Sequence, residues 1–342
     1  MPAAAPPTPI AGVAALLALA RAALPTGLAV LLAFAAADLW QMLDPISVLP
    51  ASGRLEAAIV GAQLDRARTI PADTDVVTIG DSAGLINIDP GALRAGLDGA
   101  SVEGLNTVGF AGPHGHARML NDFLARGGRP QRLLVAMRNL SPPSGASARQ
   151  VERLFVSPRA LPPPRLLPRI RARLQGGAET LLYLPLPGAW GDYYGGVEQY
   201  DAFLRERHGF VHDPVPARAT PFPVVPPFGL NDTFRAELPE LAAAIAALGA
   251  DRVRLVLMPE NDAWDAETTA AGHAAALREL HTALGLDAAR QLDGLPIRLG
   301  PESFASFGHL NAAGRAQLTA ALAAALRRDR ARYPWPIADL QG

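Results

Sequence analysis

DVVTIGDSAG, residues 75–84, combines a predicted strand with the first informative motif of this chain. Its first half is a short apolar run that predicts a buried β-strand, and its second half is a turn that carries Ser82. In parallel sheets covered by helices, the chemistry gathers at the carboxyl ends of the strands. The stretch therefore predicts a first strand that places Ser82 at the carboxyl edge of a parallel sheet.

Strand-like and helix-like segments alternate along the rest of the chain. The sequence predicts further strands at 102–106, 132–137 and 252–258. Helical periodicity predicts helices at 90–97, 113–125, 236–248, 266–284 and 311–327. Strands that alternate with helices form right-handed βαβ units, whose sheet is parallel and covered on both faces. We therefore predict an α/β domain of the flavodoxin-like type, with three layers (α/β/α) around a parallel sheet.

The N-terminal segment 10–43 is almost entirely apolar, with Arg21 and Asp38 as its charged residues. The window 22–43 is long enough to cross a hydrocarbon core as a helix. Arg21 precedes this window and Asp44 follows it, which predicts a cytoplasmic N-terminus and a periplasmic remainder. We therefore predict a single-pass transmembrane helix in the cell inner membrane. Two alternatives are a signal peptide cleaved after 35–37 and a pair of buried, alanine-rich helices.

The sequence also predicts how the chain divides into segments. Residues 1–44 form the predicted membrane anchor, and residues 45–70 a juxtamembrane helix and connector. Residues 71–330 form the predicted α/β domain, and 331–342 a C-terminal tail. Over 141–235 the alternation stops, and proline clusters fix the backbone and prevent regular strand pairing. We interpret that range as an inserted, mostly irregular lobe.

Charge and cysteine content exclude several classes of function. A net charge of -1 with 18% charged residues provides no basic field for nucleic acid. The chain has 0 cysteines, which excludes disulfides, thiolate metal sites and a cysteine nucleophile. His114 and His116 have no carboxylate nearby in the sequence and make a poor zinc site, so we expect them to face substrate or solvent. The sequence therefore predicts no nucleic-acid partner, no metal and no cofactor.

Four short polar blocks carry the candidate chemistry. Residues 80–84 (GDSAG) follow the first predicted strand, and residues 106–112 (NTVGFAG) contain the end of the second. Residues 138–140 (RNL) follow the third strand, and residues 306–314 (SFGHLNAAG) open the last helix. The GDS tripeptide alone is a weak signal, because turns favour all three residue types. A serine, glycine N–H groups, an amide and a histidine together are the groups that acyl transfer through a serine uses.

In this order, the four blocks resemble the SGNH hydrolase superfamily, also called the GDSL type, over about residues 70–330. They are similar to its membrane-anchored branch of alginate O-acetyltransferase-like and D-alanyl-lipoteichoic-acid-export-like proteins. The resemblance implies that Ser82 is the nucleophile and His309 its general base. It also implies an oxyanion hole formed by the Ser82 N–H, the Gly109 N–H and the Asn139 amide. The sequence around Asn139 departs from the family pattern, because the usual G-x-N-D reads Met-Arg-Asn-Leu.

The fourth block departs from the family at the acid that orients the histidine. The family places an aspartate three residues before the histidine, and here that position is Ser306. A serine can accept a hydrogen bond from imidazole, but it carries no charge to stabilise imidazolium. Glu302 is our first candidate acid, because it lies closest in sequence to His309. Three further candidates follow the fourth predicted strand: Glu260, Asp262 and Asp265.

The resemblance and the predicted export together imply an activity. We expect a serine esterase or O-acyltransferase that acts on O-acetyl groups of an envelope or secreted polysaccharide. A membrane-bound acyltransferase or a polysaccharide synthase complex is then a candidate partner. The missing aspartate motivates an alternative, a non-catalytic accessory protein that binds polysaccharide or such an acyltransferase. A soluble lipase or thioesterase is a third alternative, which requires the apolar N-terminus to be structural.

Overall fold

The computed structural model describes residues 21–29, 32, 51–107, 111–137, 204–209, 230–263, 266–306 and 309–335. The chain divides into two compact units, one of residues 1–50 and 163–191 and one of residues 51–162 and 192–342. In the first unit, the structure describes a helix over 21–29, and Leu24, Leu28 and Leu32 are exposed. The strands and helices described below all belong to the second unit.

A parallel sheet of four strands lies at the centre of the second unit. The strands are β1 (Val76–Gly80), β2 (Val102–Asn106), β3 (Arg132–Met137) and β4 (Val253–Leu257), in the order β2-β1-β3-β4. Gly80 lies level with Asn106 of β2 and with Ala136 of β3. Because the chain crosses from β2 over β1 to β3, the crevice outside the carboxyl ends of β1 and β3 is where such sheets bind ligands.

Helices cover both faces of this sheet. They are α1 (Ala51–Ala67), α2 (Ser82–Asn87), α3 (Pro90–Gly96), α4 (Gly112–Ala125), α5 (Asp232–Leu248), α6 (Ala266–Leu284) and α7 (Ala312–Arg332). Side chains of α2, α3 and α7 share one buried apolar cluster with Val76, Leu134 and Val256 of the sheet. Alternate residues of a strand point to opposite faces of the sheet. Helices α1 and α4 pack on the face opposite that cluster. On this face α4 contacts α5, and α5 contacts α6.

Four very short strands complete the described elements. β5 (Glu260–Asn261) follows β4 and pairs in parallel with β6 (Arg298–Leu299). β7 (Phe304–Ser306) pairs antiparallel with β8 (His309–Leu310), and this hairpin leads directly into α7. Short 3₁₀ helices cover Ala250–Arg252, Ala288–Arg290 and Pro301–Ser303.

The architecture confirms the predicted α/β class and the parallel sheet, and it is consistent with three layers. The strands at 102–106 and 132–137 and the helix at 266–284 begin and end at the predicted residues. The last helix ends at Arg332 instead of residue 327. The sequence misses α2 and the four short strands, because two to six residues carry too little periodicity to identify an element.

Helix α1 lies within 45–70, where the sequence predicts a juxtamembrane helix and connector, and it packs against the sheet. Val60, Gln63 and Leu64 in this helix are fully buried. Gln63 Nε2 donates a 2.7 Å hydrogen bond to the carbonyl oxygen of Asn106 at the end of β2. Helix α1 therefore packs on one face of the sheet, and the predicted division at residue 70 stays a prediction.

The C-terminal segment also packs on the domain, whereas the sequence predicts a tail from residue 331. Trp335 is buried, and the Arg132 guanidinium lies 5.7 Å from the centroid of its ring. Arg132 Nη2 also donates a 2.7 Å hydrogen bond to the carbonyl oxygen of Tyr333. These contacts hold the chain against the sheet as far as Trp335, and residues 336–342 lie outside the described residues.

The predicted insert, 141–235, is described over 204–209 and from residue 230 onward. The Gly104 N–H of edge strand β2 donates a 2.7 Å hydrogen bond to the carbonyl oxygen of His208. Helix α5 begins inside the predicted insert, at Asp232, because Asn231 Oδ1 accepts the Phe234 N–H at 2.8 Å and caps it. The rest of the insert lies outside the described residues, so its irregular character stays a prediction.

In the part of the chain that the structure describes, no helix is long and apolar enough to cross a membrane. Of the predicted span 22–43, the described residues are 22–29 and 32. The predicted membrane anchor therefore stays a prediction.

Candidate active site

Ser82 is positioned by the end of strand β1. A Cβ atom at Gly80 would overlap the carbonyl oxygen of Ala136, so glycine is required where β1 and β3 approach at this level. The next residue, Asp81, caps α2, and its Oδ1 accepts the Ala83 N–H at 2.8 Å. Ser82 is thus the first residue of α2, it is largely buried, and it lies at the carboxyl edge of the sheet.

Helix α2 lies unusually close to strand β2. A Cβ atom at Gly84 would overlap the Oδ1 atom of Asn106. Asn106 is buried, and its Nδ2 donates a 2.6 Å hydrogen bond to Thr78 Oγ1 on β1. The glycine in the GDSAG block therefore allows the helix that carries Ser82 to rest on the Asn106 side chain.

His309 reaches Ser82 from the other end of the chain. Its Nε2 lies 3.1 Å from Ser82 Oγ, although the two residues are 227 positions apart. His309 is half-buried and is the first residue of β8, where its backbone partner on β7 is Ser306. The structure thus brings together the two residues that the sequence assigns to nucleophile and base, within hydrogen-bonding distance.

The segment that carries His309 is fixed on its C-terminal side by Asn311. Asn311 Oδ1 accepts the N–H groups of Ala313 and Gly314 at 3.0 and 3.1 Å and caps α7. The Asn311 N–H donates a 3.0 Å hydrogen bond to the carbonyl oxygen of Ser303. The start of α7 is therefore bound to the 3₁₀ turn that precedes the β7–β8 hairpin.

The predicted oxyanion donors Gly109 and Asn139 lie outside the described residues. The strands that precede them, β2 and β3, end level with the end of β1, which leads into Ser82. Both loops therefore leave the same edge of the sheet as Ser82, and the roles of Gly109 and Asn139 stay predictions.

The candidate acids occupy different surroundings. Glu302 is exposed, and its carboxylate turns back over Gly300, while its backbone carbonyl accepts Asn311 Nδ2 at 2.5 Å. Glu260 is buried and bound to Arg298 at 2.9 Å and to His273. Asp262 is exposed, and Asp265 lies outside the described residues. The role of Glu302 as the acid stays a prediction, and Glu260 is already engaged in an ion pair with the exposed Arg298.

His116 lies beside the turn that carries Ser82, whereas the sequence predicts a residue that faces substrate or solvent. It is fully buried, its Nε2 is 3.5 Å from Thr107 Oγ1, and the Thr107 N–H donates to the Gly80 carbonyl at 2.7 Å. Burial lowers the pKa of His116 to about 4, against a smaller raising effect of a hydrogen bond with the Gly80 backbone. His116 is therefore neutral at physiological pH, and it packs against Thr107 and the Gly80 backbone next to the turn that carries Ser82.

His114 lies beside two carboxylates, Glu237 and Glu240, that are more than 120 positions away in the sequence. Its Nδ1 is 2.5 Å from Glu240 Oε2, and its backbone N–H donates to Glu237 Oε2 at 3.4 Å, near the start of α4. Burial raises the pKa of Glu237, partly offset by His114. Within the described ranges, no group of three or more His, Cys, Asp or Glu side chains could hold a metal ion.

No family model, no curated protein and no solved structure matches this chain significantly. The site is therefore characterised by its own geometry. It is a serine–histidine pair at the carboxyl edge of a parallel sheet, beside the crossover point between β1 and β3.

Proposed function

We propose that this protein is a serine-dependent esterase or O-acyltransferase that works through an acyl-serine intermediate. The observation that carries the proposal is the 3.1 Å separation of His309 Nε2 and Ser82 Oγ at the sheet edge. A hydroxyl is a weak nucleophile unless an adjacent base removes its proton, and this is the spacing that such a base requires.

The reaction follows from these two side chains. Ser82 Oγ attacks the acyl carbon as its proton moves to His309 Nε2, giving a tetrahedral oxyanion. Collapse of this species breaks the bond to the leaving alkoxide, which takes the proton from His309, and leaves an acyl ester on Ser82. Water or a sugar hydroxyl then attacks the ester with His309 again as the base, so hydrolysis and transfer share one intermediate.

The proposal also includes hydrogen-bond donors that stabilise the oxyanion and a fold that brings them to Ser82. The Ser82 N–H, the Gly109 N–H and the Asn139 amide are the proposed donors to the oxyanion, from loops that leave one edge of the sheet. The strand order β2-β1-β3-β4 with helices on both faces supports a flavodoxin-like, three-layer SGNH hydrolase fold.

The proposed substrate is the O-acetyl group of an envelope or secreted polysaccharide. The apolar segment 10–43 supports an inner-membrane anchor with the α/β domain in the periplasm, where such polymers are accessible. Under this proposal, a membrane-bound acyltransferase or a polysaccharide synthase complex is the protein partner.

Covalent labelling with a fluorophosphonate tests the catalytic part of this proposal. The wild-type chain is expected to react at Ser82, and Ser82→Ala to lose the label and the release of acetate from acetylated oligosaccharides. Ser303→Ala is the matched control, because Ser303 is also buried and its described hydrogen bonds use the backbone. Equal labelling of the wild type and Ser82→Ala would remove the serine from the chemistry.

A second candidate function is favoured by one specific observation. The backbone partner of His309 is Ser306, a residue type that supplies no negative charge to an imidazolium. A chain that keeps the cleft without turnover would act as an accessory protein that binds polysaccharide or a membrane acyltransferase. This alternative predicts binding of acetylated oligosaccharide by the wild type and by Ser82→Ala, with no labelling of either protein.

A further inference from the structure

We propose that Asn87 is the positioning residue that holds His309 in place against Ser82. Asn87 is the last residue of α2, and its side chain is almost fully buried. Its Oδ1 accepts the backbone N–H of Leu310, the residue after His309, at 2.8 Å. The inference rests on the proposed function, because a position for His309 matters only if His309 serves Ser82.

Two short elements meet through this side chain. Ser82 and Asn87 are the first and last residues of α2, while His309 and Leu310 together form β8. The Asn87–Leu310 hydrogen bond therefore joins the same two elements that the Ser82–His309 contact joins. A two-residue strand is too short to fix its own position, so a bond from the nucleophile helix to the neighbouring residue sets where the imidazole lies.

The amide of Asn87 is held in one orientation. A backbone N–H needs an acceptor, so the amide oxygen must face Leu310, and Nδ2 then lies 3.5 Å from the Met258 sulfur just beyond β4. Leu310 is fully buried, and removal of the oxygen would leave its N–H without an acceptor. We expect the strand to shift in order to recover a partner, and His309 to move with it.

The test measures the rate of fluorophosphonate labelling at Ser82 as a function of pH, in the full chain. Asn87→Leu keeps the volume of the side chain and removes the acceptor, and we expect labelling to slow about 100-fold, as a misplacement of about 1 Å can cost. The inflection near neutral pH that a histidine base produces should disappear with it. Asn87→Asp keeps an oxygen at the same place and should restore most of the rate and the inflection.

A structural role alone would give a different pattern. A variant that is merely less stable loses rate in proportion to its unfolded fraction and keeps the wild-type pH profile. Thr319→Val is the matched control, because it removes a buried hydroxyl 3.5 Å from the Asp89 N–H without touching β8. If Asn87→Leu does not fold, Asn87→Ala replaces it, with thermal unfolding as the check.

The outcomes separate this inference from the proposed function. An unlabelled wild type contradicts the proposed function. The wild type is labelled if the proposed function holds. If a folded Asn87→Leu or Asn87→Ala variant then reacts within a few-fold of the wild-type rate and with the same pH profile, only the role of Asn87 is contradicted.

Discussion

His309 Nε2 and Ser82 Oγ lie 3.1 Å apart across 227 positions of sequence. Ser82 begins the helix after the first strand, and His309 lies in the hairpin that precedes the last helix. Neither element is long enough to be stable alone, so the pair exists only when the first and last parts of the α/β domain are packed together. Reactivity of Ser82 therefore reports the folded state of the whole domain as well as the chemistry of the site.

The first prediction concerns where the α/β domain begins. A chain that starts at Ala51 should stay folded and soluble, whereas one that starts at Ile70 should unfold, because it lacks α1. Burial of Val60 and Leu64 alone contributes about 1.5–3 kcal/mol each, a large part of the 5–15 kcal/mol typical of a domain. Circular dichroism and gel filtration of the two chains give the comparison. Aggregation of the longer chain would show that residues 1–50 are needed to cover it.

The sequence predicts the elements of the sheet well for a physical reason. A central parallel strand is buried on both faces, so β1 and β3 appear as short, mostly apolar runs. Helix α1 is harder to assign, because burial of its polar Gln63 and of Arg66 cannot be recognised from residue type. Its place in the domain depends on hydrogen bonds to β2, which a linear pattern does not contain.

The second prediction concerns a buried ion cluster at the amino end of the sheet. Asp329 on α7 accepts hydrogen bonds from Arg132 at 2.6 Å and Arg254 at 2.7 Å, and all three side chains are buried. Asp329→Ala leaves two buried cations unpaired and should cost about 3–5 kcal/mol in the free energy of unfolding. Asp293→Ala, which breaks a half-exposed pair with Arg332, should cost under about 1 kcal/mol.

Urea unfolding of both variants checks this prediction. In the fraction that stays folded, Asp329→Ala should label at Ser82 at the wild-type rate, because Arg132 begins β3 and lies at the end of the sheet away from the site. Equal losses in the two variants would mean that the buried cluster adds no more stability than a surface pair.

The candidate site could be predicted only where a motif marks it. Ser82 and His309 stand out because each lies in a short glycine-containing block at the end of a predicted element. Asn87 carries no such signal, since an asparagine at a helix end is common and its partner lies 223 residues away. His116 is misassigned for a related reason, because a neutral buried histidine and an exposed one look identical in sequence.

The third prediction is an acid dependence of stability that arises from His116. Its pKa is about 4 in the folded chain and about 6.5 when exposed, so below pH 6.5 the unfolded chain binds a proton that the folded chain does not. Stability should therefore fall as the pH drops from 6.5 to about 4, by up to about 3 kcal/mol from this residue at 1.36 kcal/mol per pKa unit. Burial lowers the pKa of His281 in the same direction, so the wild type carries additional slope.

Urea unfolding at pH 7 and at pH 4.5 measures this effect. His116→Gln should be less stable than the wild type at pH 7, where the buried packing is disturbed, but it should lose less stability on acidification. Parallel pH profiles for the two proteins would show that His116 is not kept neutral by burial.

The last prediction concerns Ser306, an uncharged residue at the position paired with His309. In a serine–histidine–aspartate arrangement the acid stabilises the imidazolium, and a neutral replacement costs about 10⁴ in turnover in the serine proteases that serve as the reference case. Ser306 and His309 are backbone partners across the β7–β8 hairpin, in which the register shifts between Phe304 and Ser306. An aspartate at position 306 would put a carboxylate on the backbone partner of His309, the position at which an acid is tested here.

We expect Ser306→Asp to raise the Ser82-dependent rate of acetate release by at least about tenfold, because the backbone partner of His309 is an uncharged residue in the native chain. Glu302→Gln should change the rate little, since the Glu302 carboxylate is exposed and turned over Gly300. The opposite pattern, a steep loss in Glu302→Gln and no gain in Ser306→Asp, would show that Glu302 moves to His309 during the reaction and already supplies the charge. A rate that neither variant changes would exclude both positions and make Asp262 and Asp265 the next residues to replace.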